Sequence, residues 1–332
     1  MTSKKKVLKI LRQSAFLTVN LVLRQLVWTL LALTRPFHLF QYLFLVYPGS
    51  ASDLDGYCPR KLAESGLFRR KPTLGGYVSR GPGGRGLLLV VPDTVADFTT
   101  SDAARKEVSK RLLGISRMSG AKAIALAGQL PGIFVRKGNR LARPFVTGDK
   151  GAVFCVMETL SQIIMKHGLD PSRLKIAIVG VGYVGGLLFN AFQDEGYNVA
   201  GIDIVITRHG VALRQDSEVM LRTADIVIVL TPKGSDFLPY IPHLKNGAII
   251  IDDTHPKIKW EEQPEGMLFY KAAVGIGNSR FYPALPGFQA NWIPGCAVEA
   301  IVAAATGDFC FKSQRDFSRL AREIGFFAHM VK

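Results

Sequence analysis

The chain has 332 residues, 48% of them hydrophobic, and a formal net charge of +16. This length and apolar content suffice for two compact domains plus an appendage and exclude disorder as the main state. The charge admits an anionic lipid surface or an acidic carrier protein as partner. Nucleic acid is not expected, because no zinc-ligand spacing, recognition helix or basic-aromatic repeat accompanies the charge.

The first acidic residue is Asp53, so the opening, with Lys4, Lys5, Lys6, Lys9, Arg12, Arg24 and Arg35, is purely basic. Residues 7–49 are strongly apolar. The first part, about 20 residues, could cross a bilayer, but Arg24 would then sit near mid-membrane at roughly 2.5 to 3.5 kcal/mol. On a helical wheel Lys9, Gln13, Asn20 and Arg24 share one narrow stripe, with Phe16, Val19, Leu23, Leu26 and Leu30 away from it, which predicts an interfacial helix. Pro36 should break it, leaving Phe37 to Tyr47 as a second apolar segment on the membrane or against the body. A buried helix covering the protein's own core or a dimer interface is the alternative. A cleaved signal peptide is disfavoured, since Asn20 and Arg24 interrupt the apolar region. Residues 1–52 thus read as a membrane-associating extension, and residues 1–48 as the part that meets an anionic surface. This would put the protein on the cytoplasmic face of a membrane, peripheral or singly anchored.

Residues 49–86, rich in Gly, Pro and Arg, predict loops. "LLLVVPD" at 87–93 predicts a buried strand, "SDAARKEVSKRLLGISRMSG" a capped amphipathic helix, and "AKAIALAG" at 121–128 another strand. This order predicts a first α/β domain over 53–148. "GAVFCVMETLSQIIMKHG" sets Val153, Val156, Leu160 and Ile163 on one face and predicts a helix linking the two domains.

The second domain, 149–290, has its centre at about 174–276. "RLKIAIVGVGYVGGLLFNAFQDEGYNVAGID" combines an apolar strand, a GxGxxG turn at Gly180, Gly182 and Gly185, a helix, and a second strand ending in Asp203. The first glycine permits the tight turn, the second lets backbone approach a pyrophosphate, and the third lets the helix pack on the strand. Tyr183 and Val184 open the helix whose amino end would meet the phosphates. The pattern predicts a Rossmann-type, doubly wound parallel sheet holding NAD(H) or NADP(H). Asp203, with Ile204 beside it, should bind the adenosine ribose and favours NAD(H), whereas Arg208 could swing onto a 2′-phosphate. "ADIVIVLTPKG" and "NGAIIIDDTHPK" supply two more strands, so Thr231, Pro232, Asp252, Thr254 and His255 should line the nicotinamide end.

The four cysteines, Cys58, Cys155, Cys296 and Cys310, are too dispersed for a disulfide scaffold or a metal site, and a reducing compartment is the default. In the last segment, 291–332, Pro294 and Gly295 precede a helical run, which puts the Cys296 thiol at a helix amino end. A helix dipole there can populate the thiolate, the form that attacks an acyl carbon. A small buried apolar residue is the ordinary alternative. Cys155 and Cys310 read as core, and Cys58 lies in a loop.

From about residue 100 onward, the order of "AKAIALAGQLPGIF", "VTGDKGAVFCVMETL", "ADIVIV…PKG", "IIIDDTHPK", "FYKAAVG" and "GCAVEAIVAA" resembles the cyanobacterial-type long-chain acyl-(acyl carrier protein) reductases. That resemblance implies reduction of fatty acyl thioesters to aldehydes. It implies that Cys296 carries the acyl group, that the amino-terminal domain receives the chain, and that an acidic acyl carrier protein can be the donor. The family's glycine turn is more like GATGDIG and it prefers NADPH, whereas this turn is GVGYVGG and is followed by Asp203. The family also lacks an apolar extension, which opens the choice of a membrane-borne donor. Lys271, within the matching motif, and His255 are the candidates for stabilising the oxyanion or returning its proton. Two other readings stay open: a dehydrogenase of an amino acid, hydroxy acid or shikimate-like molecule, which needs no Cys296, and a membrane-attached dinucleotide-binding regulator without turnover.

Overall fold

The computed structural model describes residues 11, 13–60, 66–138, 141–206, 208–259 and 263–329. The chain folds as two units. The first comprises Met1–Gly148, Gly277–Asn291 and Cys296–Cys310, and the second Asp149–Ile276, Trp292–Gly295 and Phe311–Lys332. The units exchange the chain after Gly148, Ile276, Asn291, Gly295 and Cys310. The chain revisits the first unit twice after leaving it, and nothing in local composition announces such returns.

In the first unit, β1 (Tyr42–Val46) lies between β3 (Gly84–Val90) and β4 (Ala123–Leu126), parallel to both. Every residue of β1 is buried. This corrects the expected extension: Phe37 to Tyr47 contains the central strand of a sheet. A strand buried on both faces is a continuous apolar run, and periodicity cannot separate it from a lipid-seeking segment. A second correction concerns residues 49–86. Here β2 (Thr73–Gly81) pairs antiparallel with β3, with register shifts between Leu74 and Gly76 and between Val78 and Gly81. Gly75 sits at the first of these shifts and Gly83 at the hairpin turn. A short strand, Phe281–Tyr282, flanks β2 on its other side.

Ahead of the sheet, the helices Gln13–Val22 and Arg24–Leu33 are bent by 77° against each other. Among the described residues no single helix is long and apolar enough to cross a membrane. Val27, Trp28 and Leu31 pack on the first unit's core, as in the reading of a helix covering its own domain, while Leu26, Leu30 and Leu33 are exposed. Asn20 departs from the expected polar stripe: it is 3% exposed. Lys4 to Lys9 and Arg12 lie outside the described residues. The amphipathic helix Asp102–Ser119 forms as expected, capped by the Ser101 hydroxyl, which accepts the Ala104 N–H, and ended by Gly120 in the left-handed region.

The second unit opens with the expected helix, Asp149–His167. Its strands are β5 (Lys175–Val179), β6 (Asn198–Asp203), β7 (Val211–Leu213), β8 (Ile226–Val229), β9 (Ile249–Asp252) and β10 (Leu268–Lys271). They form one sheet in the order β10-β9-β8-β5-β6-β7, all pairs parallel. Chain order reverses between β5 and β8. This is the doubly wound α/β sheet that the sequence predicts, and its switch point lies where ligands bind such sheets. Ala177, Val179, Val227, Val229 and Ile250 form part of one apolar cluster on the sheet.

Candidate functional site

At the carboxyl end of β5 the chain turns through Gly180, whose φ is +97°, into the helix Tyr183–Asp194. A Cβ at Gly185 would lie 2.0 Å from the Gly180 carbonyl oxygen, so the helix can pack on the turn only with glycine there. A Cβ at Gly182 would meet nothing within 4 Å. Gly182 caps the helix without any side-chain hydrogen bond, so its first amides and the positive end of its dipole remain for an anion. Tyr183 is exposed and Val184 half-buried on the first turn. Open space in front of one glycine and none behind the other is the geometry a diphosphate needs.

Asp203 ends β6, half-exposed, and its carboxylate accepts the Ile204 N–H at 2.6 Å. Ile204, Val205 and Ile206 follow as an exposed apolar lip. Arg208 stands elsewhere than expected. Its guanidinium donates to the Gly186 carbonyl at 3.1 Å and to Asn190 Oδ1 at 2.6 Å, and lies over the Phe189 ring. The cation is thus committed to the flank of the helix. The Thr231 hydroxyl turns back onto its own loop, donating to the Lys233 carbonyl at 2.9 Å, beside exposed Pro232.

The ends of β9 and β10 hold a denser polar group. Asp252 is buried and accepts from Thr254 N at 2.7 Å, Thr254 Oγ at 2.6 Å and Ile258 N at 3.0 Å, so it organises the loop that carries half-buried His255. Lys271 pairs with Asp252 in register, is buried, and donates from Nζ to the Thr254 carbonyl at 2.7 Å. Lys271 is therefore not an exposed surface lysine. The sequence reading missed Asp253. Desolvation, opposed by the Lys271 cation and reinforced by Asp252, pushes its carboxyl up to about 7. Two consecutive acids at the end of an apolar strand were the available signal.

In the first unit, the helix Gly295–Thr306 places half-buried Cys296 in its first turn, as expected. Its backbone runs against Gly148, where a Cβ would be 3.1 Å from both Cys296 Cα and its carbonyl oxygen. One turn on, buried Glu299 accepts the Thr147 hydroxyl at 3.3 Å. Cys155 is buried within its helix, whereas Cys310 is exposed, 3.7 Å from Arg143. Burial foremost, with Asp55 adding to it, pushes the Cys58 thiol up to about 11. Among the described residues no cluster could hold a metal ion.

No family model and no curated protein matches the chain. Solved structures similar to it include malic enzyme from Pyrococcus horikoshii, 14% identical, with 85% of this chain and 75% of that one covered and a TM-score of 0.41. A methylenetetrahydrofolate dehydrogenase-cyclohydrolase from Trypanosoma brucei, complexed with NADP and an inhibitor, is 11% identical over 90% of this chain and 94% of that one, at a TM-score of 0.40. The 3-hydroxyisobutyrate dehydrogenase of Mycobacterium tuberculosis is 19% identical over 39% of this chain and 60% of that one, at a TM-score of 0.28.

Proposed function

We propose that this chain is a nicotinamide-dinucleotide-dependent oxidoreductase. The observation that carries the proposal is the turn itself: Gly180 in the left-handed region, Gly185 locked on its carbonyl, and open space before Gly182 at an uncapped helix end. Gly182 and the first amides of the helix would hold the diphosphate, and Asp203 the adenosine ribose, with Ile204 offering an apolar surface beside it. A carboxylate at Asp203 favours NAD(H); Arg208, engaged by Gly186 and Asn190, gives NADP(H) no added support. The bound nicotinamide would supply a hydride.

Within that class we propose reduction of an acyl thioester to an aldehyde, with Cys296 as nucleophile. Its place in the first turn of a helix and the resemblance to acyl-(acyl carrier protein) reductases support this reading. The Cys296 sulfur bonds to the acyl carbon, the donor's carbon–sulfur bond breaks, and the donor thiol leaves. Lys271 and His255, at strand ends where ligands bind parallel sheets, are suited to hold or return a proton. An acyl carrier protein or a lipid-borne donor would meet the basic opening at a membrane's cytoplasmic face.

One observation favours a second reading, a dehydrogenase of a hydroxy or amino acid. Buried Lys271 acts electrostatically on the half-buried Asp253 carboxyl, and the two could move a proton without any thiol. Incubation with a long-chain acyl thioester in the absence of cofactor separates the two. Acyl-reductase chemistry gives an adduct mapped to Cys296, discharged as aldehyde when NADH or NADPH is added. No adduct, with dinucleotide oxidation on small oxo acids, supports the second reading. Dinucleotide binding without turnover of either substrate class would make the protein a regulator.

A further inference from the structure

The carboxyl edge of the first unit's parallel strands holds a polar side chain that the proposed chemistry has not yet used. Leu45 pairs with Leu126, and a parallel bridge joins Ile124 to Phe145. Tyr47, Gly128 and Gly148 each follow one of these paired residues by two or three positions and so leave the same edge of the sheet. The Tyr47 phenol lies over the end of β4, where its oxygen accepts the Gln129 N–H at 3.1 Å. A Cβ at Gly128 would come within 3.2 Å of that oxygen, just as one at Gly148 would press on Cys296. Both glycines have positive φ, +53° and +73°, so neither position favours a side chain that would fill the space beside Tyr47 and Cys296.

Tyr47 is 7% exposed and packs edge-on against Phe98. A phenol has one proton to donate and an oxygen that accepts. The oxygen serves Gln129, and among the described residues nothing accepts the proton. A buried donor without an acceptor is costly to keep. Burial chiefly, opposed by the Gln129 N–H and reinforced by the nearby Cys296 sulfur, raises the phenol above its ordinary value, so it stays a donor at neutral pH.

We propose that Tyr47 is a catalytic residue whose O–H holds the carbonyl oxygen of the acyl group that Cys296 takes up. The inference rests on the acyl-thioester reading above. As the Cys296 sulfur, its proton given up to solvent, bonds to the carbonyl carbon, the π pair moves to oxygen and Tyr47 hydrogen-bonds the resulting oxyanion without giving up its own proton. The pair then returns to re-form the carbonyl while the donor's carbon–sulfur bond breaks, and the departing thiolate takes a proton from solvent.

Tyr47→Phe keeps the ring and removes only the O–H. With a long-chain acyl-coenzyme A as probe and no cofactor, acylation of Cys296 followed by intact-mass spectrometry should slow about 10²- to 10³-fold. Alkylation of Cys296 by iodoacetamide develops no oxyanion, so its rate should stay unchanged, as should the circular dichroism spectrum. An acylation rate equal to wild type overturns the role of Tyr47 and leaves Cys296 in place. An equal slowing of acylation and alkylation overturns it too, marking a structural residue. Absence of any Cys296 adduct in the wild-type protein overturns the acyl-thioester reading itself, and the inference with it.

Discussion

The side-chain amide of Asn20 hydrogen-bonds both backbone groups of Leu74: its nitrogen donates to the Leu74 carbonyl at 2.9 Å and its oxygen accepts the Leu74 N–H at 2.9 Å. One side chain thus imitates a neighbouring strand at the end of β2 and satisfies groups that an unpaired edge would leave open. It does so from the π-helical turn Thr18–Val22, next to the bend between the two amino-terminal helices.

Replacing Asn20 tests this directly. Asn20→Leu leaves both part-buried Leu74 groups without these partners and is expected to destabilise the protein by about 1–3 kcal/mol in urea denaturation. Asn20→Asp can still accept from the Leu74 N–H but cannot donate to its carbonyl, and should be destabilised as well. Wild-type stability in both variants would mean that water replaces the amide at no cost.

The glycine turn separates binding from folding. Gly185→Ala sets a methyl 2.0 Å from the Gly180 carbonyl, which forces the helix off the sheet and should abolish dinucleotide binding together with a fall in Tm. Gly182→Ala meets no protein atom, so Tm should hold while the methyl obstructs the approaching diphosphate. Calorimetric titration with NADH and NADPH is expected to show affinity for both weakened at least about tenfold, 1.4 kcal/mol, in Gly182→Ala.

Asp253 gives the second unit a pH dependence of definite sign. Its folded carboxyl sits at about 7 against an ordinary value of 3.8, so the folded state holds a proton that the unfolded state has released. The stability contributed by that proton is complete below pH 3.8 and is lost as pH rises to about 7. Asp253→Asn removes the effect. Its Tm gain over wild type should therefore be larger at pH 8 than at pH 5, and a gain independent of pH would show that Asp253 ionises normally.

Membrane attachment is tested without disturbing the core. Leu26 and Leu33 are 54% and 64% exposed on the helix whose other face carries Leu31. The paired substitution Leu26→Glu and Leu33→Glu should preserve Tm and abolish flotation with vesicles containing phosphatidylserine. Equal flotation of variant and wild type counts against this face as the contact. Deleting residues 1–48, by contrast, would remove β1 and with it the centre of the first sheet.

The sequence alone determined the second unit's sheet type, its glycine turn, the acid at the end of β6 and the placing of Cys296 at a helix start. Each depends on residues within about one strand-turn-helix of one another, so spacing along the chain carries the geometry. Tertiary structure alone decided that Tyr42–Val46 is a central strand, since an apolar run binds lipid, helix or sheet with equal readiness. What settles it is pairing with Gly86–Val90 and Ala123–Leu126, more than forty residues away. Separation along the chain likewise hid the bond from Asn20 to Leu74 and the phenol of Tyr47, and the fold alone fixed the seat of Arg208 on its helix and the surroundings of the Asp253 carboxyl. Burial and charge act through space, and their sums exist only once remote segments have been brought together.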